Sequence, residues 1–215
     1  MATLEVLRDL VSTIIQDTSF TDAVIDGYIN DGVTEIAHGM ESSLGRVVTP
    51  PLPALFTIGT VATVTDAAYV SMPDGFQRDL RFVARSDGIE VDIANSMIQF
   101  SMDYPLMDGS GDVVDTIEYG GNLYYQGIPV VAETLTLHYF KAPTEMEDDD
   151  DEPDGIPIAF QKKLLVNYAC KEIYGLIEDG IERQPINTIK FTGLFLSALK
   201  AFELSIPYDA RSLNL

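Results

Sequence analysis

The chain has 215 residues, 46% of them hydrophobic, which is enough for one core or for one core with an inserted subdomain. Its 34 acidic residues against 13 Lys and Arg give a formal charge of −21, and removing the eight acids of residues 145–154 still leaves −13. Such a surface repels phosphate backbones and anionic membranes, so the composition disfavours nucleic-acid binding and favours solubility.

The N-terminal pattern predicts two helices joined by a short loop. Apolar residues recur three and four positions apart from Leu4 to Ile15, after Thr3, which can cap the first helix. The stretch "QDTSFTD" interrupts this pattern, and Thr21 or Asp22 begins a second helix. The prolines of "VVTPPLP" end the helical pattern, because proline cannot continue it.

Short strands are predicted from there to about residue 142. "FTIGTVATVTD" and "LRFVARSDGIEVDIA" are rich in β-branched residues and are broken by Gly and Asp. "TIEYGGNLYYQG" predicts a hairpin in which Gly120 and Gly121 form the turn. In "TLTLHYF" one face is predicted to be buried and the other outward; the inward residues are Leu135, Leu137 and Tyr139, and the outward residues are Thr134, Thr136, His138 and Phe140.

The C-terminal pattern predicts two further helices. The first begins near Pro157 and ends near Gly180, and the second restarts at Pro185 and ends before Pro207, with Gly193 as a weak point. The fold class is therefore α+β, with an antiparallel-type four-helix body and an inserted β-rich subdomain. The predicted domains are the helical body at 1–48 and 156–205, the β-subdomain at 49–143, an acidic loop at 144–155 and a C-terminal tail at 206–215.

The stretch "EMEDDDDEPD" has three alternative interpretations: a metal site, a DNA-mimicking surface and a solvated connector. Asp150, Glu152 and Asp154 alternate as in a calcium-binding loop with Gly155 in sixth place, but the twelfth place holds Gln161 instead of a bidentate Glu. Consecutive acids repel each other and stay extended and hydrated, so a solvated connector is the default interpretation.

Other residues with chemical potential are isolated in the sequence. His38 and His138 have no companions at metal-ligand spacing, and "MDGSGDVVD" lacks the lysine of a phosphate loop. The single cysteine, Cys170, predicts a small core residue in a reducing compartment. We expect no signal peptide, no membrane span, no cofactor, no metal and no catalytic residue.

Two segments are candidates for contact with other proteins. Tyr124 and Tyr125 fall on opposite faces of a strand, so one should pack inward and the other should be available to a partner. The tail "SIPYDARSLNL" keeps apolar residues after the last helix, which is typical of segments that order against another chain. These tail residues are Ile206, Tyr208, Leu213 and Leu215.

The order of these features resembles the head-to-tail adaptor, or connector, proteins of tailed bacteriophages. The resemblance is carried by "TLEVLRDLVSTIIQDTSFTDAVIDGYINDGVTEIA", "VSMPDGFQRDLRFVA", "YPLMDGSGDVVDTIEYGGNLYYQGIPVVAETLTLHYFKAPTEM" and "GIPIAFQKKLLVNYACKEIY". None of these is a catalytic fingerprint, and the long acidic run departs from the family pattern.

The resemblance implies a non-enzymatic virion protein, assembled in the bacterial host cytoplasm, that forms a ring, commonly of twelve copies, beneath the portal. Such a ring extends the DNA channel, passes DNA without specific binding and is the platform for tail or nozzle proteins. The C-terminal segment of the family reaches the portal, which here corresponds to Ile206 to Leu215. We expect the acids Asp148, Asp149, Asp150 and Asp151 to face the lumen or its rim. Alternative interpretations are another phage tail-completion or decoration protein, and a calcium-binding module.

Overall fold

The structure is a computed structural model that describes residues 2–39, 51–179 and 185–206. Internal contacts divide the chain into two compact units. The helical unit comprises Met1–Leu55 with Ala142–Leu215, and the sheet unit comprises Phe56–Lys141. The α+β class is confirmed. The predicted domain boundaries and the antiparallel four-helix body stay predictions.

The described residues form α1 (Leu4–Ile15), α2 (Asp22–His38), a 3₁₀ turn (Pro53–Leu55), α3 (Met97–Asp103), α4 (Ile158–Gln161), a π-helical segment (Lys162–Val166), α5 (Asn167–Glu178) and α6 (Ile186–Ser205). All of them except α3 belong to the helical unit.

The predicted N-terminal helix–loop–helix is confirmed, but its capping differs from the prediction. Thr3 and Thr21 occupy the N-cap positions of α1 and α2, yet neither side chain makes a capping hydrogen bond. Gln16 ends α1 in the left-handed region, with φ 54°. Other groups must therefore satisfy the first N–H groups of α1.

The helix predicted after Pro157 begins at Ile158 and contains the π-helical segment, while the last helix is confirmed from Ile186 onward. Three aromatic pairs show that α6 runs in the direction opposite to α4 and α5. The ring centroids lie 5.2 Å apart for Phe160 and Phe202, 5.4 Å for Tyr168 and Phe195, and 5.4 Å for Tyr174 and Phe191. Because the residue numbers fall on α6 as they rise on α4–α5, α6 runs antiparallel to α5.

Nine strands form the sheet unit. They are β1 (Phe56–Ala62), β2 (Tyr69–Ser71), β3 (Phe76–Arg85), β4 (Glu90–Ile93), β5 (Gly109–Ser110), β6 (Asp115–Tyr119), β7 (Asn122–Tyr125), β8 (Gly127–Ile128) and β9 (Thr134–Lys141). Seven of them pair in the order β1-β9-β3-β4-β6-β7-β2, with β4 and β6 parallel and the other neighbours antiparallel. β5 and β8 form a separate parallel pair.

The central strand β9 confirms the inward face and corrects the outward one. Leu135, Leu137 and Tyr139 are buried in the core of the sheet unit, as predicted. Phe140 was predicted to face outward, but it is buried as well. Its ring lies 5.5 Å from that of Phe56, and the guanidinium of Arg81 lies 5.9 Å above it. The strands β1 and β3 on either side of β9 cover this residue, which alternation along one strand does not reveal.

The sequence pattern predicts the β6–β7 hairpin correctly but misses the helix α3. The β6–β7 hairpin is confirmed, and Gly120 and Gly121 have φ 58° and 79°, as its tight turn requires. The helix α3 was not predicted, because only strands were expected between residues 49 and 143. A short apolar run such as "MIQF" does not distinguish strand from helix by its period. In the structure Phe100 is buried and its N–H donates to the carbonyl of Ser96.

The contact between α2 and α5 leads to a prediction about two glycines of α2. A Cβ at Gly32 would lie 2.8 Å from Cδ1 of the buried Tyr168, whereas a Cβ at Gly27 would meet nothing within 4 Å. We expect Gly32→Ala to lower the unfolding free energy by about 1–3 kcal/mol through overpacking. The matched control Gly27→Ala should raise it by about 0.5–1 kcal/mol, because Ala has the higher helix propensity. Chemical denaturation of both variants checks this, and equal effects would contradict the packing described.

Candidate functional site

The acidic loop, residues 144–155, caps the first turn of α1 with its backbone. The Leu4 N–H donates to the carbonyl of Asp151 at 2.9 Å, and the Glu5 N–H donates to that of Asp149 at 3.2 Å. The first N–H groups of a helix have no partner within the helix, so these carbonyls take the place of the Thr3 side chain. The start of α1 and the acidic loop, which are far apart in the sequence, thus depend on each other for their backbone hydrogen bonds.

Arg8 joins the acidic loop to both N-terminal helices. Its Nε and Nη2 donate to the two carboxylate oxygens of Asp26 on α2 at 2.7 and 2.9 Å. Its Nη1 donates to Oδ1 of Asp149 in the loop at 2.8 Å. The hydrogen bonds that the guanidinium donates to Asp26, assisted by Asp149 and opposed by partial burial, raise its pKa. The forked geometry suits Arg and not Lys, because only a guanidinium donates in two directions from one plane.

Two carboxylates of the loop hold its backbone. The Asp151 carboxylate accepts the N–H groups of Glu147 and Asp148 at 2.8 and 2.9 Å, and the Asp151 N–H donates to the Asp148 carbonyl. The hydrogen bonds from the Asp148 and Glu147 N–H groups lower the pKa of Asp151. Asp154 accepts the N–H and hydroxyl of Thr144, both at 3.3 Å. The acids therefore supply their own acceptors for a closed turn.

A buried methionine fixes the beginning of the loop on α2. Met146 is 3% exposed, and its N–H and carbonyl pair with the side-chain amide of Asn30, both at 3.0 Å. Pro153 and Ile156 are buried at the other end. The interpretation of the tract as an extended, hydrated connector is therefore wrong for its backbone. The side chains of Glu147, Asp148, Asp149 and Asp150 are nevertheless exposed.

The calcium interpretation is not supported by this arrangement. Gln161, at the twelfth place of the pattern, is 2% exposed. Its Oε1 accepts the Ala2 N–H at 3.3 Å and its Nε2 donates to the Ile156 carbonyl at 3.0 Å, so both polar atoms are engaged in the fold. Within residues 2–39, 51–179 and 185–206, no group of three His, Cys, Asp or Glu side chains is placed to hold a metal ion.

Tyr124 and Tyr125 alternate in burial along β7, as predicted for the two faces of a strand. Tyr125 is fully buried in the core of the sheet unit, where burial raises the pKa of its hydroxyl, so it is the inward residue of the pair and only Tyr124 stays a candidate for partner contact. Its hydroxyl accepts the Val64 N–H at 3.4 Å. Tyr124 is half-buried, and its ring lies 5.5 Å from that of Tyr69 on β2. Tyr69 is the more exposed of the two.

The predicted contact residues of the tail fall largely outside the described residues, because Tyr208, Leu213 and Leu215 follow residue 206. Ile206 is described and is 4% exposed, so it belongs to the interior of the helical unit and is not available to another chain. Its N–H donates to the Glu203 carbonyl just after α6. The predicted role of Ile206 in binding a neighbour is therefore wrong.

Sequence reasoning missed the residues that anchor the loop, Arg8, Asp26 and Asn30. The scarcity of cations was the available signal for these anchors. Arg8 is the one basic residue of α1 in a chain with 34 acids and 13 Lys and Arg, so an ion pair with an acid could have been expected for it. Cys170 is buried as predicted, and burial raises the pKa of its thiol to about 12. Among the described helices, none combines the length and apolar character needed to cross a bilayer.

The fold and the loop together define an α+β protein whose most distinctive described surface is a row of exposed carboxylates on a hydrogen-bonded loop. Residues 2–211 match the family model described as SU10 adaptor protein, so the chain belongs to this family of bacteriophage head-to-tail adaptors. It is a phage structural adaptor, and membership implies association with portal and tail components of the virion. No curated protein matches the chain.

The Arg8 fork predicts unequal coupling to its two acids. The side chain of Asp26 is 20% exposed and that of Asp149 is 66% exposed. We expect Arg8→Gln to lower the unfolding free energy by about 1–3 kcal/mol, because charge-assisted hydrogen bonds are lost. Double-mutant cycles with Asp26→Asn and Asp149→Asn should give about 1–2 kcal/mol for the first pair and about 0.5 kcal/mol for the solvent-screened second pair. Equal coupling energies would contradict this.

The lowered pKa of Asp151 predicts how the loop responds to acid. A carboxylate with a lowered folded-state pKa contributes stability that is present above its ordinary pKa of 3.8 and is lost as the pH falls through the folded-state value. We expect Asp151→Asn to be less stable than the wild type at neutral pH, with the difference disappearing as the pH falls below that window. Urea denaturation across the pH range measures it. The control is Asp150→Asn, an exposed neighbour without a hydrogen bond in the described part of the chain, which should track the wild type.

Proposed function

We propose that this adaptor docks beneath the phage portal, extends the DNA channel and provides the attachment platform for the tail, without catalysing a reaction. The observation that carries the proposal is the family match over residues 2–211, which covers nearly the whole chain. The described residues add support, because their most elaborate polar network holds a surface in place.

The charge of the chain supports a channel role. Twelve copies, the ring size that the resemblance implies, would carry about −250 charges before counterions, from −21 each. Salt screens such a field beyond about 8–10 Å, so its effect is confined to DNA close to the wall. Contacts with Lys and Arg would retard a moving duplex, whereas an acidic wall does not hold it. DNA therefore passes through the ring without being bound.

The acidic loop is proposed to line the lumen or its rim. Asp148, Asp149 and Asp150 are exposed, and Asp151 instead turns its carboxylate to the loop backbone. A fixed backbone keeps the exposed carboxylates in place at little further entropic cost. A structure of the assembled ring tests this placement, and it fails if these residues lie at the outer circumference.

The subunit architecture is proposed to follow the family plan. In this plan α1, α2, the segment from α4 to α5, and α6 form an antiparallel-type four-helix body, and the β-rich subdomain is inserted at 49–143. Contacts among the described helices support the first part, since α5 packs against α1, α2 and α6.

Portal binding is the experiment that tests the function. The full-length chain is mixed with purified portal rings and with tail components in separate samples, and the complexes are measured by native mass spectrometry and electron microscopy. We expect a ring of adaptor copies on the portal and no tight binding of duplex DNA at moderate salt. Binding only to tail components would instead favour a tail-completion protein, and turnover of a substrate would contradict the proposal.

The C-terminal segment is proposed to contribute to docking. Removing residues 207–215 should weaken portal binding by about 10-fold or more if the segment carries anchoring side chains such as Tyr208 and Leu213. Helical content measured by circular dichroism should stay unchanged, because α6 ends at Ser205. A chain with these nine residues in scrambled order is the matched control for length and charge. Undiminished portal binding by the truncated chain would contradict this use of the tail.

A further inference from the structure

The outward face of α6 has a composition unlike the rest of this acidic chain. Its exposed residues follow one another at three- and four-residue steps, so they form one stripe along the helix. Four are large and apolar: Ile186 is 71% exposed, Ile189 60%, Leu194 45% and Leu204 66%. Two are lysines, Lys190 and Lys200, and the remaining four are small: Gly193, Ser197, Ala201 and Ser205. The α6 face, as we call this stripe, contains no acid.

The absence of acids is informative because the whole chain carries 34 acids and 13 Lys and Arg. The lysines of the α6 face form no ion pair within the described residues. Lys190 instead lies 4.9 Å above the ring of Phe191, which belongs to the same helix. An apolar stripe with unpaired positive charge is complementary to an apolar and acidic partner surface.

The acidic loop of the same copy lies at the other end of the helical unit from the start of α6. The loop caps the first turn of α1, and Ala2 next to it bonds Gln161 at the end of α4. Phe160 at that end packs on Phe202, near the end of α6. With a rise of 1.5 Å per residue, Lys190 lies about 18 Å along the helix from Phe202. An ion pair requires about 4 Å, so the loop of the same copy is out of reach of Lys190.

The two surfaces also lie on different sides of α5. Within the described residues, α6 packs against α5 and the π-helical segment and makes no comparable contact with α1 or α2. α1 and α2, which hold the acidic loop, pack on α5 as well. The start and middle of the α6 face therefore lie away from the acidic loop of the same copy, whereas Ser205 and Ile206 at the end of α6 line a cavity together with Gly155 of the loop.

We propose that the α6 face binds the acidic-loop side of a second copy of this chain. A contact between two α6 faces would leave their lysines without acidic partners, whereas the acidic loop supplies them. The contact is therefore head-to-tail, with different surfaces from the two copies, and such contacts propagate into rings when the rotation closes. The inference rests on the proposed function only in the expectation of closure; the pairing itself follows from the charge and position of the two surfaces.

A charge-swap experiment on the full-length chain tests the pairing. Lys190→Glu with Lys200→Glu reverses the α6 face. Changing the five exposed acids Glu145, Glu147, Asp148, Asp150 and Glu152 to Lys reverses the loop, which then holds five lysines against three acids, and keeps the hydrogen-bonded carboxylates of Asp149, Asp151 and Asp154. Each variant alone should show self-association weakened by about 10-fold or more, because like charges then face each other. An equimolar mixture of the two should associate as the wild type does, since an alternating arrangement makes every contact attractive again. Sedimentation velocity at low and high salt measures this, after thermal denaturation has shown that each variant folds.

The matched control is Lys162→Glu with Lys163→Glu, two exposed lysines in the π-helical segment that give the same net charge change off the α6 face. This control should associate like the wild type.

To detect brief contacts, a Lys190→Cys copy and an Asp150→Cys copy are mixed under oxidising conditions, and a disulfide-linked pair should form; the native Cys170 is buried. No mixed disulfide, or no rescue in the equimolar mixture, overturns the proposal. Equal weakening by the control variant also overturns it. These outcomes leave the adaptor function standing, because that function fails only on the portal measurement.

Discussion

Negative charge in this protein is held in position by very few cations. Eight acids lie within ten residues of the sequence, and Arg8 reaches one of them, Asp149. Most of the restraint comes from uncharged backbone groups: helix N–H groups bond loop carbonyls, and an amide side chain pairs with the backbone of Met146. Because backbone groups carry no net charge, the loop is fixed while its exposed carboxylates remain unneutralised. A surface that repels phosphate can thus also be rigid.

The anchoring couples the two ends of the chain. The start of α1 needs the loop carbonyls for its first N–H groups, and the loop needs α1 and α2 for its shape. Gln161 adds a further connection, because its side chain bonds both Ala2 and Ile156. In the helical unit, the segments before and after the inserted sheet are therefore mutually dependent, and neither segment would keep its described hydrogen bonds alone.

The distribution of charge separates two kinds of surface. Acids dominate the composition, whereas the α6 face is apolar and positive. Two copies of so acidic a chain repel each other over most of their surfaces. The electrostatic repulsion between them is smallest where one copy presents a neutral or positive patch. In the proposed channel role the same excess of acids would disfavour both DNA binding and most contacts between copies, so one composition would bear on genome passage and on assembly.

The sequence by itself determined the α+β class, the N-terminal helix pair, the last helix and the β6–β7 hairpin, because these depend on local period and on turn residues such as Gly120 and Gly121. It also contained the family resemblance, which rests on the order of such local features. Only the tertiary structure decided which tyrosine is buried, that Phe140 and Ile206 face inward, and that the acidic tract is an anchored cap on α1. Local patterns record which face of an element is apolar, but not which neighbouring element covers it. The partners of the loop are up to 147 residues away in the chain, as for Leu4 and Asp151, and such long-range pairing has no periodic signature in the sequence.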